Sequence, residues 1–496
     1  MVLENEVVRR LSGAGELHGR RKILLNYRSV NAGNVVEVLQ KALPIHNQNA
    51  VECQYLWDVY CGIHDIRFKE KLVRPNINNK LAVNLCNYIV TFKSAYLLSS
   101  PVQYVAADGS DETSDHVFRL NKFMDEQDKE SKDKITVDWV YIAGVAPRLC
   151  TPNSAWNPGD EYTSPFSVYA LDPREAFVIY SSSVGRAPIA GVIKQYDSDD
   201  HEIYSVYTAD GIYEVSGDSV VSHRAYRFGT IPVVEYANNE ARLGAFEVIL
   251  SVQNMINVLE SNRIDGVVDF VNSYDVFKDC EITEETYSKL AAGGQAINIT
   301  STPGVESKVY RISSELSQSG VQTEIDDLLE YINVICGLPN RNGGSSTSDT
   351  GEASKLRDGW VEAESRATDT EAQFKKAEKQ LLAVALRIMA DRTDMELNPA
   401  QIDIRFTRKN LTNIQSKAQV LCEMLNNSLV HPRVAYECAG VLPDIEESYR
   451  LGMEWYEQNK AELEKSINAE IANERLVQKL GQDNSETVEN GDSAVS

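Results

Sequence analysis

From Glu240 to Ile388, apolar positions recur at steps of three and four in three separate stretches. The first carries Ile249, Val252, Ile256 and Leu259 on one face, the spacing of an amphipathic helix. It predicts a helix from Ala245 to about Tyr274, which would be roughly 45 Å long. The second carries Ile325, Leu328, Leu329, Ile332 and Ile335, and Gly337-Leu338-Pro339 should end it. Proline disfavours helical geometry in the residue before it and has no N–H to donate. The third runs through Leu356, Trp360, Ala363, Ala367, Thr370, Phe374, Ala377, Leu381, Val384 and Ile388. Its steps alternate between four and three, a heptad stripe with small residues at its middle. Asp349 and Glu352 supply a capping-box start. Taken alone, such a stripe fits a long core helix or a coiled coil.

What separates these helices gives the order its meaning. Residues 275–312 form a compact excursion with β-prone runs at Val276–Cys280 and Ile297–Thr300, a short helix at Glu284–Ala292, and breakers at Gly293-Gly294 and Pro303-Gly304. Between the second and third helices lies Asn340-Arg341-Asn342-Gly343-Gly344-Ser345-Ser346-Thr347-Ser348, too polar and glycine-rich to pack. Upstream, residues 1–49 read as a polar, helical and solvated arm with Arg9, Arg10, Arg20, Arg21 and Lys22. Residues 50–135 read as helices with one strand near Val102–Ala106, ending in the charge-dense stretch Asp125–Lys134. Across 136–236, runs at Thr163–Tyr180, Ile189–Tyr196, Ile203–Thr208 and Ile212–Val215 alternate with turns at 197–200 and 210–211. They predict an antiparallel meander. A short strand at Ile402–Phe406 precedes helices over 412–460, and the polar, acidic stretch from about Gln482 lacks core-forming residues. The fold class is α+β and mostly helical.

Composition narrows the function classes. The chain has 496 residues and a formal charge of −24, unlike a protein that grips nucleic acid with a basic patch. Eight cysteines occur without C-x-x-C pairs, so no zinc site is signalled and most should behave as small buried hydrophobes. No run is long and apolar enough for a membrane span. There is no Walker-type phosphate loop, no G-x-G-x-x-G and no G-x-S-x-G elbow, and His201-Glu202 is followed by Ser205 where a zincin needs histidine. Asp197, Asp199 and Asp200 could hold a hard cation, but they sit in a predicted hairpin turn that favours Asp for backbone reasons. No catalytic residue, cofactor or metal is expected.

A set of collinear segments carries a resemblance. They are Asn76-Ile77-Asn78-Asn79-Lys80, Ile89 through Val102, Phe228-Gly229-Thr230-Ile231-Pro232-Val233-Val234-Glu235-Tyr236, and Asn238-Asn239-Glu240 with Phe246-Glu247. Ser261-Asn262-Arg263, Gly337-Leu338-Pro339, Gly351 through Leu356 and Ile402 through Arg408 complete it. In this order over about residues 50–460, the chain resembles the siphophage-type portal proteins of tailed bacteriophages. The first 45 residues do not align, and in the excursion only the lengths agree.

The resemblance implies a dodecameric ring of identical subunits at a unique capsid vertex, with no hydrolytic activity of its own. It implies assembly in the host bacterial cytoplasm and partners in the terminase large subunit, scaffold, major capsid protein and head-completion or adaptor proteins, with double-stranded DNA in transit and no membrane. The regions become an N-terminal arm (1–49), wing (50–244), stem helix (245–274), clip (275–312), second stem helix (313–338), tunnel loop (339–351), long wing helix (352–391), crown (392–465) and acidic tail (466–496). Arg341, Asn342, Gly343, Gly344, Ser345 and Ser346 would line the channel, with Lys355 and Arg357 as nearby bases. Glu281, Glu284 and Glu285 would dock partners. Carboxylates on the stem, among them Asp265, Glu324, Asp326, Asp327 and Glu330, would face the channel and repel DNA or form the solvated outer face. The competing reading is an acidic oligomeric adaptor or binding module without a channel.

Overall fold

The computed structural model describes residues 19–72, 75–107, 111–160, 162–271, 274–278, 284, 288, 308–312, 318–339, 359–408, 414–427, 429–439 and 448–460. They fall into two compact units. One takes residues up to Pro101 together with Leu120–Pro399, and the other takes Val102–Arg119 and residues from Ala400 onward.

The first unit is built around two sheets. Strands β1 (Ile23–Leu25), β5 (Ala176–Ser181), β6 (Pro188–Tyr196), β7 (Glu202–Tyr207), β8 (Gly211–Ser216) and β9 (Ser219–Ala225) follow that order across a six-stranded sheet. From β5 to β9 every neighbour is antiparallel, which is the expected meander. β1 joins it in parallel, Ile23 opposite Ile179. The second sheet has the order β10 (Val233–Ala237), β3 (Val145–Pro152), β4 (Phe166–Ala170). The run Thr163–Tyr180 is therefore two strands in two sheets, parted by a turn in which Glu175 N and Ala176 N donate to Asp172 O.

Helix α1 (Val35–Tyr60) covers one face of the large sheet, with Val35, Val38, Leu39 and Ala42 packed against Phe177, Ile179, Val192 and Val206. On the other face Val178, Ile193 and Tyr207 meet Leu149, Ile231 and Val233 of the small-sheet side. The N-terminal arm is thus corrected from about residue 19 onward. It is a strand and a core helix rather than a solvated arm, because β1 and α1 bury apolar side chains that the basic residues just before β1 mask in the sequence. Helices α2 (Leu85–Leu97) and α4 (Lys129–Ala143) complete this body, with α3 (Asp111–Glu126) between them in the chain.

Two long helices leave and rejoin the body. α5 (Leu250–Val271) leads to β11 (Tyr274–Lys278), which pairs antiparallel with β12 (Lys308–Ile312) and closes the excursion at its base. Of the excursion's interior only Glu284 and Ser288 are described, both helical, with Ser288 Oγ donating to Glu284 O at 2.8 Å. The expected strand at Ile297–Thr300 lies outside the described residues. α6 (Gln318–Cys336) returns alongside α5. It ends in a Schellman motif, with Leu338 N donating to Asn333 O at 2.8 Å and Gly337 N to Val334 O at 3.3 Å. Gly337 has φ +64°, so glycine stops the helix and Pro339 only bars its resumption.

Helix α7 (Trp360–Arg392) follows. Gly359 before it has φ +78°, so the described helix starts later than residue 352, and the capping pair Asp349 and Glu352 lies outside the described residues. From Ala363 to Ile388 every position of the heptad stripe is buried. Leu382, Ala385, Leu386 and Met389 are buried too, which makes α7 a core helix seated on β3 and β10.

In the second unit β2 (Gln103–Ala106) pairs antiparallel with β13 (Ile402–Arg405). Helices α8 (Ile414–Leu425) and α9 (Pro432–Ala439) pack together, and a further helix spans 448–460. The two strands were expected in different regions, wing and crown. Their alternating burial, Ile402 and Ile404 in and Asp403 out, signals a strand but not its partner.

Candidate functional site

The geometry that most constrains this molecule lies where the helix pair α5/α6 meets the body. Gln253, Asn257, Ser261 and Asp265 stand at successive steps of four on α5, and all four are buried. Beside them runs the segment 79–83. Asn79 N donates to Asp265 Oδ1 at 2.8 Å, Leu81 N to Ser261 Oγ at 3.0 Å and Val83 N to Asn257 Oδ1 at 2.8 Å. Gln253 Nε2 closes the row by donating to Val83 O at 2.7 Å. The match is metric. Two residues of extended chain advance about 6.6 Å and four residues of α-helix about 6 Å, so alternate amides meet every fourth side chain. A one-residue slip of either partner would break all these bonds together.

Each end of the row has its own electrostatics. Asp265 also accepts from Asn79 Nδ2 at 2.8 Å and Lys71 Nζ at 3.2 Å. Burial would raise its carboxyl, but these donors outweigh burial and hold it below the ordinary value. Asp265 is therefore an anchor, not a channel-facing charge, which corrects that expectation. At the other end Asn257 Nδ2 donates to His64 Nδ1 at 3.0 Å. Burial lowers the His64 pKa and so favours the neutral ring, and the Asn257 Nδ2 donor selects the tautomer in which Nδ1 accepts.

The start of α5 is fixed by a knot of backbone and ions. Asn238 N donates to Gly144 O at 3.0 Å, Ala245 N to Tyr141 O at 2.7 Å and Arg20 N to Arg242 O at 3.0 Å. Gly144 has φ +80°, and a Cβ there would sit 2.2 Å from Arg242 O, so only glycine admits the crossing chain. Glu247 accepts from Arg20 Nη2 at 2.8 Å and Gly244 N at 2.6 Å. Burial pushes Glu247 up, against the pull of Arg20 and the Gly244 amide. Arg20 is fully enclosed between Glu247 and Glu52, again unlike a solvated arm. The end of α6 returns here, Cys336 Sγ donating to Ala245 O at 3.7 Å.

A second buried ionic group holds α7. Arg148 Nη2 meets Asp133 Oδ1 at 2.6 Å, and Arg148 Nη1 meets Glu378 Oε2 at 3.5 Å. Lys129 Nζ reaches Asp133 at 2.5 Å and Glu378 at 3.3 Å, and Tyr236 OH donates to Glu378. Two cations thus face two carboxylates. The charge-dense stretch 125–134 is in part interior.

Of the site residues expected from sequence, Glu284 is described and exposed. Glu281, Glu285, Arg341, Asn342, Gly343, Gly344, Ser345, Ser346, Lys355 and Arg357 lie outside the described residues. Glu324, Asp326, Asp327 and Glu330 are exposed on α6. The row Gln253-Asn257-Ser261-Asp265 was missed, although it had a signal: a polar helix face of amides and hydroxyls rather than lysine and glutamate. Asp197 Oδ1 accepts from the amides of Asp199 and His201, both at 2.8 Å, which is the turn geometry expected there. Cys53, Cys86, Cys150 and Cys336 are buried and free. No described helix is long and apolar enough to cross a membrane.

The joint sets segment 76–80 beside residues 261–265 of α5, and segments 238–240 and 246–247 at the start of that helix. A sequence model of the phage portal proteins, SPP1 Gp6-like, matches residues 39–468. The chain belongs to that family. Its role is that of a capsid portal and connector, and the family is a structural one. No curated protein matches the chain. Among solved structures it is similar to a chain in the neck of an empty GTA particle computed with C6 symmetry, at 10% identity and a TM-score of 0.45, covering 72% of this portal chain and 90% of that one. It is also similar to a chain from the virion of a native gene transfer agent particle, at 9% identity and a TM-score of 0.43, covering 79% and 94%. The assignment rests on the family match alone.

Proposed function

We propose that this portal subunit assembles into a closed dodecameric ring whose axial opening passes double-stranded DNA, with α5 and α6 as its stem. The observation that supports this is the third face of α5. The polar row is buried on the body and Ile256 is buried, yet Met255 and Val258 are exposed on another side of α5, with Val248 exposed in the turn just before it. On α6 Tyr331 and Val334 are exposed as well. Apolar side chains along a helix already held on two faces suit a neighbouring copy of the same helix pair. In this reading residues 275–312 are the clip and 339–351 the tunnel loop. The clip would meet the terminase large subunit during packaging and head-completion proteins afterwards, with scaffold and major capsid protein around the ring. Assembly would take place in the host cytoplasm before incorporation at one capsid vertex.

Size-exclusion chromatography with light scattering of the full chain should give a mass near twelve subunits. Met255→Glu with Val258→Glu should convert the ring to monomers that keep their fold by circular dichroism. A wild-type monomer, or a ring indifferent to both charges, would overturn the stem assignment. Charge reversal at Glu281, Glu284 or Glu285 should impair packaging and leave the ring intact. Cysteines placed at Gly343 and one subunit over should crosslink and block DNA passage.

A further inference from the structure

The chain carries a large negative charge, yet in one pocket of the first unit the charged lining residues are mostly cations. Its volume is about 320 Å³. Arg20, Lys22, Arg186, Arg242 and Lys376 line it against only two carboxylates, Glu235 and Glu240. Four segments supply these cations: the entry to β1, the β5–β6 turn, the link from β10 to α5, and α7.

The partner accounts of the two arginines do not close. Arg242 is more than nine-tenths buried and gives Nη2 to Glu235, while its Nε and Nη1 have no partner. Arg20 gives Nη2 to Glu247, and its buried Nη1 likewise has none. Buried guanidinium N–H groups are ordinarily satisfied, and these belong to side chains that line the same cavity. Arg186 and Lys376 form no ion pair among the described residues. Arg186 and Arg242 are also two of the four described non-glycine residues with positive φ, at 46° and 60°, and strain of this kind gathers at ligand clamps.

We infer that this pocket binds a small phosphate-bearing anion. Forked guanidinium donors and ammonium groups converging from separate segments suit a tetrahedral polyanion better than a planar carboxylate. The volume stands at the lower end for small-molecule sites and excludes a duplex. Inorganic phosphate and the phosphate end of a nucleotide share this chemistry. Either would tie the link before α5 to α7 and to the sheet edge.

The test uses the full chain at fixed ionic strength. Inorganic phosphate, ATP and a DNA oligonucleotide are titrated separately by calorimetry, with thermal melting in parallel. Saturable binding of phosphate or ATP with a raised melting midpoint is expected. Tighter ATP binding identifies a nucleotide, and equal affinity identifies free phosphate. The variant Arg186→Gln with Lys376→Gln alters two exposed side chains, should melt normally without ligand, and should bind about tenfold more weakly. Lys41→Gln, on the outer face of α1, should leave binding unchanged. An unsaturable response in the millimolar range, unchanged affinity in the double variant, or a response to the oligonucleotide alone would overturn the inference.

Discussion

Helices α5 and α7 are both long and both seated on the same body, and they are held by different physics. α7 buries an apolar stripe from Ala363 to Ile388 against β3 and β10, with one ionic group at Glu378. α5 buries a polar row whose side chains bond the backbone of residues 79–83. Apolar burial is non-directional and scales with area, so it fixes that a helix packs more firmly than where along its axis it sits. Bonds to alternate amides fix axial position, because no nearby register satisfies them. In a subunit proposed to pair α5 with a neighbour's copy, the polar row sets the height of the apolar stripe Val248-Met255-Val258.

The largest expected effect falls on the buried ionic group of α7. Glu378→Ala would leave Arg148 and Lys129 with Asp133 alone and would remove the acceptor of Tyr236 OH. Unbalancing a buried ion group should cost about 3–5 kcal/mol, enough to make a domain marginal. Soluble yield and the urea midpoint of the first unit check this. A loss within 1 kcal/mol of wild type, to order of magnitude, would mean that apolar burial alone seats the helix.

Next in size is a matched pair of near-isosteric substitutions. Leu381→Met on α7 keeps volume and should cost less than about 1.5 kcal/mol. Asn257→Leu on α5 also keeps volume, but strands the Val83 amide and the His64 ring nitrogen and takes one of two acceptors from Gln253 Nε2, which keeps Val83 O. Roughly 3 kcal/mol should be lost, and hydrogen exchange at residues 79, 81 and 83 should accelerate in this variant only. Equal losses would erase the distinction between the two helices.

The same distinction explains what was legible in the sequence. The stripe of α7 could be read position by position because apolar periodicity is local information. The apolar side of α5 was legible for the same reason, with Ile249 and Ile256 buried as expected. Its polar row was not, since Asp265 in a sequence looks the same whether it faces water or the Asn79 amide. Arg20 was misread in the same way. Its partners Glu52 and Glu247 are distant in the chain, and a run of basic residues gives no hint of them. The pairing of β2 with β13 belongs to this class too. Each strand was expected, and the partnership between them was not.

A smaller effect tests how α6 is delivered back to the joint. Gly337 lies at φ +64°, and a Cβ there would come within 2.3 Å of Arg366 Cδ on α7. The side chain of Arg366 can move aside, so the backbone conformation governs the cost. Gly337→Ala should destabilise by about 1–2 kcal/mol, read as a lower thermal midpoint. Gly337→Asn should recover part of the loss, because asparagine tolerates this region better. If Ala and Asn behaved alike, the left-handed cap would not be what ends α6.

The smallest effect is a pH dependence confined to the polar row. His64 is buried, and its Nδ1 accepts from Asn257 Nδ2, so the folded state requires the neutral ring. Burial lowers its pKa below the ordinary value of 6.5. Below that value the unfolded chain binds the proton more readily than the folded one. The contribution of His64 is therefore complete above about pH 6.5 and is lost as pH falls toward the folded pKa. One pH unit below 6.5 the loss can reach at most about 1.4 kcal/mol. α7 carries no histidine, so the acid response should separate the two helices. Exchange at residues 79, 81 and 83, corrected for intrinsic rates, should quicken between neutral pH and pH about 5.5, while amides of α7 stay protected. His64→Gln should remove the pH dependence at the row, because its side chain cannot titrate. Acceleration of equal size in α7, or an unchanged pH response in His64→Gln, would show that the row is not the acid-sensitive element.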